Sequence, residues 1–236
     1  MSDATVERVL SEGDVEVHGR IAGSSNATLL VTCSLGGEEL LAVYKPSQGE
    51  RPLWDFPGGL FRREVAAYVL SEHLGWGLVP ETVERPEGPY GPGSVQRFVH
   101  EDGISHYFTL RDEPKWHAAL MRLCAFDVVA NNADRKSGHV LLAEDRLWAI
   151  DNGLCFNSRD KLRTVIWDFG GAPLEGEVQE DLARLAHDGP PAALCALLEA
   201  DEVAATLDRV AWLLSLRALP ELVDDGEWPP YPWPLV

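Results

Sequence analysis

Three segments near the N-terminus, residues 15–21, 27–33 and 39–45, either alternate apolar with polar side chains or run through β-branched ones. Turns at 23–26 and 36–37 separate them. A period of two is that of a strand with one buried face, and successive strands joined by tight turns pair as an antiparallel meander. Pro46 closes the third strand, and a Pro- and Gly-rich loop over 46–59 leads into a helical stretch, 60–74. Val65, Tyr68, Val69 and Leu74 form the stripe of that helix, and Gly75 stands behind it as terminator. Residues 84–93 read as loop and 94–99 as a short strand.

Beyond Gly103 the period lengthens to that of a helix. Residues 115–130 make one amphipathic segment whose Trp116, Leu120, Leu123 and Val128 belong in a core, and further helices are expected near 178–187, 191–198 and 203–219. The exception is a pair of short strands, 139–142 and 146–150, around a turn. The pattern predicts an α+β chain in two lobes, a strand-rich one over 1–102 and a helical one over 103–236, with a cleft between them.

Composition narrows the partners. With 38 acidic against 20 basic side chains the formal charge is −18, which repels both nucleic acid and an anionic membrane surface. Neither is expected as a partner. No apolar run approaches the ~20 residues that cross a bilayer. The N-terminus lacks the basic start and apolar stretch of a secretory signal, so a cytoplasmic protein is expected. Cys33, Cys124, Cys155 and Cys195 form no C-x-x-C pair and sit among apolar residues, as buried small hydrophobes do in a reducing compartment. The Pro/aromatic tail over 228–234 is neither helix nor central strand and is expected to pack on its own lobe.

The chemistry gathers after residue 129. Asp134 stands in a polar loop behind a helix, and Asp151 at the end of an apolar strand 17 residues later. A hairpin between them returns the chain nearly to its start, so both carboxylates face one cleft. Phosphoryl transfer needs that arrangement: one carboxylate orients or deprotonates the acceptor hydroxyl, and another carries Mg²⁺. The phosphate side needs a cation. Lys45 points with the apolar face of its strand, beside Leu41 and Val43, which is costly without an anionic partner. A phosphate is one such partner, and Glu64 on the following helix is another. Gly23, Ser24, Ser25 and Asn26 offer N–H and hydroxyl groups to phosphate.

This order of turn, strand lysine, helix glutamate, D-R loop, hairpin and I-D-N-G resembles the atypical kinases of the phosphatidylinositol 3- and 4-kinase-like superfamily. The likeness is to the small bacterial, specifically actinobacterial, members and more distantly to the HipA toxin kinase and the secretory-pathway casein kinase. It spans residues 19–156 and implies a two-lobed protein-kinase-like fold that uses ATP with Mg²⁺ or Mn²⁺. Carried over by position, it implies Asp134 as catalytic-loop aspartate with Arg135 beside it, and Asp151 as the metal-binding aspartate. It also implies Lys45 on the nucleotide phosphates, Glu64 paired with Lys45, and the backbone of Gln96, Arg97, Phe98 and Val99 as the adenine hinge.

Two departures stand out. His139 occupies the place where many members carry a metal-binding Asn, which suits a softer cation such as Mn²⁺, with Asn131 or Asn132 as alternatives. The tripeptide D-F-G at Asp168 lies 34 residues past Asp134 without an apolar strand before it, so Asp151 is preferred as the metal ligand. The expectation is transfer of a γ-phosphoryl group to a hydroxyl on a protein Ser/Thr or a small soluble alcohol. The rival is a catalytically degenerate nucleotide-binding or scaffold protein of the same fold.

Overall fold

The computed structural model describes residues 1–21, 27–222 and 230–235. Strands β1 (Asp14–Arg20), β2 (Leu29–Leu35) and β3 (Glu38–Pro46) form the antiparallel meander that the two-residue period predicts. Two more strands, β4 (Thr82–Arg85) and β5 (Gly93–Arg97), extend it to five strands in the order β1-β2-β3-β5-β4. β4 runs into a stretch that composition marks as loop. Its ladder to β5, from Thr82 opposite Gln96 to Arg85 opposite Gly93, overrides the local Pro/Gly bias.

The sequence reading assigns no helix before β1, yet Asp3–Glu12 is helix α1. Val6, Val9 and Leu10 lie on one face of it and pack on Val31, Cys33, Ala42, Tyr44 and Val95 of the sheet. Because side chains alternate along a strand, Ala42 and Tyr44 enter that core while Val43 and Lys45 face the opposite way, into a cleft.

The helical part is built on α4 (His117–Ala130), α5 (Gly176–Asp188) and α7 (Ala200–Leu216), with the short helices α3 (Tyr107–Leu110) and α6 (Ala192–Leu197) beside them. Helix α2 (Leu60–His73) follows β3, but its Ala66, Ala67 and Leu70 share the largest buried cluster with Leu123, Phe126 and Leu213 of the helical part. The two halves are thus welded through α2. Strands β6 (Val140–Ala143) and β7 (Arg146–Ala149) form the expected hairpin after a 3₁₀ turn at Ser137–His139. The architecture is α+β, rich in sheet at the N-terminal end and in helix at the C-terminal end.

One cysteine departs from expectation. Cys33, Cys124 and Cys155 are buried, but Cys195 is exposed: it follows buried Leu194 on α6, and about 100° of helical rotation turns it to solvent. Residues 230–235 pack on the helical part as expected of the tail, while Trp228 and Pro229 lie outside the described residues. The Pro230 carbonyl accepts from the Thr164 N–H and the Trp167 indole, and the Leu235 carbonyl accepts from the Ser137 N–H. No helix among the described residues is long and apolar enough to cross a membrane.

Candidate active site

A cavity of about 730 Å³ opens between the sheet and the helical part, within the range of small-molecule sites. Val43, Phe98 and Leu141 give it apolar walls; Lys45, Asp134 and Asp151 give it charge. Gln96 also lines it, nearly buried, with its amide donating to Thr82 Oγ1 at 2.8 Å. Gln96 and Phe98, expected in the hinge, both line the cavity, while the Arg97 and Phe98 N–H groups donate to the Glu81 and Leu41 carbonyls.

Lys45 meets two carboxylates, one from each half of the chain. Its ammonium donates to Glu64 on α2 and, at 2.7 Å, to Asp151 Oδ1. Burial alone would depress the Lys45 ammonium, but the charges of Asp151 and Glu64 outweigh it and hold the group above its ordinary value. The Lys45 charge in turn holds the Asp151 carboxyl well below the usual carboxylate range. Asp151 sits in the left-handed backbone region (φ 57°), with its side chain half exposed to the cleft.

Two small features bring Glu64 there. The first is Gly153: a Cβ at that position would stand 3.3 Å from Glu64 Oε1 and 3.6 Å from the Leu60 carbonyl, so the glycine lets α2 lie close to the chain after Asp151. The second is Glu50, whose two oxygens accept from the Gly59 and Phe61 N–H groups at 2.9 Å. It caps the start of α2, where unpaired N–H groups and the helix dipole favour an anion. The sequence reading misses Glu50 because it caps from the preceding loop, outside the usual local capping pattern.

Asp134 is held by an Asx turn in which its N–H donates to Asn132 Oδ1 at 2.9 Å. Lys136, also missed by the sequence reading, approaches Asp134 Oδ2 at 3.2 Å. Burial pushes the Asp134 carboxyl above its ordinary value, against the pull of Lys136. His139 lines the same cavity with Nε2 at 3.4 Å from Asp151 Oδ2. Burial pushes its imidazole down to about 4, against the pull of Asp151, so the ring is neutral at pH 7. An ionised, half-exposed carboxylate beside a neutral imidazole is a donor set that fits a divalent cation whose remaining ligands are phosphate oxygens and water. Among the described residues no cluster of three or more His, Cys, Asp or Glu is arranged for a metal.

Arg135 needs correction as a member of the reacting set. It has no exposed surface and does not line the cavity. Its guanidinium binds Asp127, itself fully buried, at 3.0–3.2 Å, and donates to the Ile150 carbonyl at 2.7 Å and Asn152 Oδ1 at 2.6 Å. Thr164 Oγ1 adds a bond to Asp127 at 3.1 Å. Arg135 thus ties helix α4, the Asp134 loop and the strand leading to Asp151 into one frame. Asn152 closes it, because its backbone N–H donates to Glu64 Oε2 at 2.9 Å.

Asn131 and Asn132, weighed as alternative metal ligands, are buried. Asn131 donates to the Asn157 and Arg159 carbonyls and accepts from the Lys161 N–H, while the Asn132 oxygen is taken by Asp134. Asp168 of the D-F-G tripeptide is held by Tyr107 at 2.5 Å and Arg111 at 3.1 Å, outside the cavity lining. Gly23, Ser24, Ser25 and Asn26 lie outside the described residues.

Protein Rv2133c of Mycobacterium tuberculosis (strain ATCC 25618 / H37Rv) is 38% identical to this chain over 264 aligned positions, covering 96% of this chain and 94% of that protein. The chain belongs to the Rv2133c family. No family model matches it. Solved structures with the same fold include the Golgi casein kinase with Mn/ADP bound, with a TM-score of 0.60 at 15% identity over 99% of this chain and 80% of that one. Hydra Fam20 with sugar gives 0.56 at 13% identity over 91% and 88%. The Helicobacter pylori proinflammatory kinase CtkA gives 0.52 at 13% over 89% and 94%. At such identities the likeness speaks to fold alone. The casein-kinase likeness, named above as the more distant one, is what the solved structures bear out, while nothing among them bears out the phosphatidylinositol-kinase or HipA likeness.

Proposed function

We propose that the chain is an ATP-dependent phosphotransferase that moves a γ-phosphoryl group to a hydroxyl acceptor. One observation carries the reading: an ammonium from the sheet, an acid from α2 and two acids from the helical part converge on one cavity of about 730 Å³. The motif order that resembles the phosphatidylinositol 3- and 4-kinase-like enzymes supports it, as does the Mn/ADP in the Golgi casein kinase neighbour.

Lys45 holds the phosphates, kept in place by Glu64. Asp151, with His139 beside it, would hold Mg²⁺ or Mn²⁺, which supplies charge neutralisation at the phosphate oxygens when bound. Asp134 orients the acceptor hydroxyl and takes its proton. The acceptor O–P bond forms as the bond from the γ-phosphorus to the bridging oxygen breaks, and a nucleoside diphosphate leaves. Phosphate positioning and electrostatics carry most of such a reaction. The acceptor is a protein Ser/Thr or a small soluble alcohol, since a net charge of −18 disfavours a lipid at an anionic surface. We place the reaction in the cytoplasm, in keeping with four free cysteines, three of them buried.

His139 at the usual Asn position favours a second reading, a nucleotide-binding protein of kinase fold that does not turn over. The test is a thermal shift with ATP plus Mg²⁺ or Mn²⁺ on the wild type, Lys45→Ala and Asp151→Ala, followed by labelled-phosphate transfer to the protein itself and to a lysate. At a hundredfold excess over Kd, binding stabilises by about 2.7 kcal/mol. A shift lost in both variants, with transfer, supports the enzyme; a shift without transfer supports the second reading. No shift with any nucleotide refutes both.

A further inference from the structure

Helix α2 is buried almost all round. Leu60, Phe61, Val65, Ala66, Ala67, Tyr68 and Leu70 are each at most 7% exposed, and two of them are alanines. Apolar contact on every side sets the position of a helix well and its rotation about its own axis poorly, because such contacts have no direction. Yet Glu64 has to reach two fixed points at once, the Lys45 ammonium and the Asn152 N–H. Rotation has to be fixed by something directional.

In the later turns Tyr68 and Ser71 supply it, through the Tyr68 hydroxyl on Glu7 and the Leu78 and Val79 N–H groups on Ser71 Oγ; in the first turn the residue beside Glu64 supplies it. Arg63 is 4% exposed and binds Glu202 of α7, which is 5% exposed. The other oxygen of Glu202 accepts from the Glu199 N–H at 3.0 Å, so this carboxylate is itself anchored at the start of α7. The same helix grips the other side of the site. Arg209 donates to the Val129 carbonyl at the end of α4 at 2.9 Å and to the Asn157 carbonyl at 3.3 Å. A buried ion pair adds little net stability and is best attested as a device that sets register.

We propose that Arg63 and Glu202 are positioning residues: α7 locks the rotation of α2, so that Glu64 is set against Lys45 and Asn152 before any ligand or partner arrives. The site is built closed around its phosphate-side pair. The inference rests on the reading of Lys45 and Glu64 as that pair, but its test does not depend on turnover.

The Asn152 amide is the reporter, because it donates to Glu64 from the far half of the molecule. Its hydrogen exchange, followed by NMR on the full chain, is expected to accelerate at least tenfold in Arg63→Met. It is expected to return to within threefold of wild type in the swapped pair Arg63→Glu with Glu202→Arg. Leu185→Ala, a cavity in α5, which packs mainly on α7, loosens the helical part away from the Arg63–Glu202 pair and is expected to leave Asn152 protected. If Arg63→Met does not fold, Glu202→Gln, which keeps the size and the cap, is expected to give a smaller acceleration in the same direction. Unchanged exchange in the folded variants, or equal acceleration in Leu185→Ala, overturns the proposal. A wild type that shows no shift with any nucleotide while Asn152 still answers to Arg63 removes the phosphotransfer reading and leaves the positioning role standing.

Discussion

Arg135→Met is the sharpest test of how the site is framed. The substitution keeps the side-chain length and removes the cation that pairs with Asp127, and both members of the pair have no exposed surface. Asp127 is then left as a buried charge, and burial already pushes its carboxyl above the ordinary value with Arg135 present. The Ile150 carbonyl and Asn152 Oδ1 lose their donor as well. Removing one partner of a buried pair costs about 3–5 kcal/mol, a large share of the ~5–15 kcal/mol that holds a domain folded. For a chain of this size that lowers Tm by about 6–20 °C. Urea unfolding followed by tryptophan fluorescence, alongside calorimetry, reads the loss. Arg135→Met combined with Asp127→Leu removes the stranded charge and is expected to recover at least ~2 kcal/mol of it. A single variant that loses under ~1 kcal/mol, or a double variant as unstable as the single, refutes the reasoning.

Two further outcomes follow from residues that the sequence reading passed over. Glu50→Ala strips the acceptors from the Gly59 and Phe61 N–H groups and is expected to cost about 0.5–2 kcal/mol, the scale of a helix cap; a urea midpoint that does not move would remove Glu50 from the account of α2. Lys136→Met removes a charge that lowers the Asp134 pKa, so that pKa rises further, and the acid limb of the transfer rate is expected to move to higher pH. An acid limb that stays in place or moves down in a pH–rate profile would mean that Asp134 is not the group that takes the proton.

The parts legible in the sequence are those in which a local pattern and a global need coincide. The two-residue period of β2 and β3 fixes which face Lys45 occupies, and the hairpin length fixes that Asp151 returns toward Asp134. Glu64 was readable from its place on the helix after the lysine strand. The illegible parts are pairings between residues far apart in the chain. Asp127 in the sequence looks like any solvated helix acid; only the fold shows that it is sealed in with Arg135. Arg63 and Glu202 are separated by 139 positions, and no period links them. Helix α1 was missed for a different reason. Its Val6, Val9 and Leu10 make a narrow stripe within a polar segment, which gains its worth only once Val31, Cys33 and Tyr44 lie beneath it.

Asn152 donates its backbone N–H to Glu64 in one half of the molecule and accepts through its carboxamide oxygen from Arg135 in the other. Positions 64, 127, 135 and 152 are consequently one mechanical unit, and a library randomised at all four should return its folded survivors as matched quartets. Val43, Phe98 and Leu141 line the cavity as apolar walls and stand outside that unit. Ligand preference can drift through those walls, one side chain at a time, while the scaffold that aims the charges stays fixed.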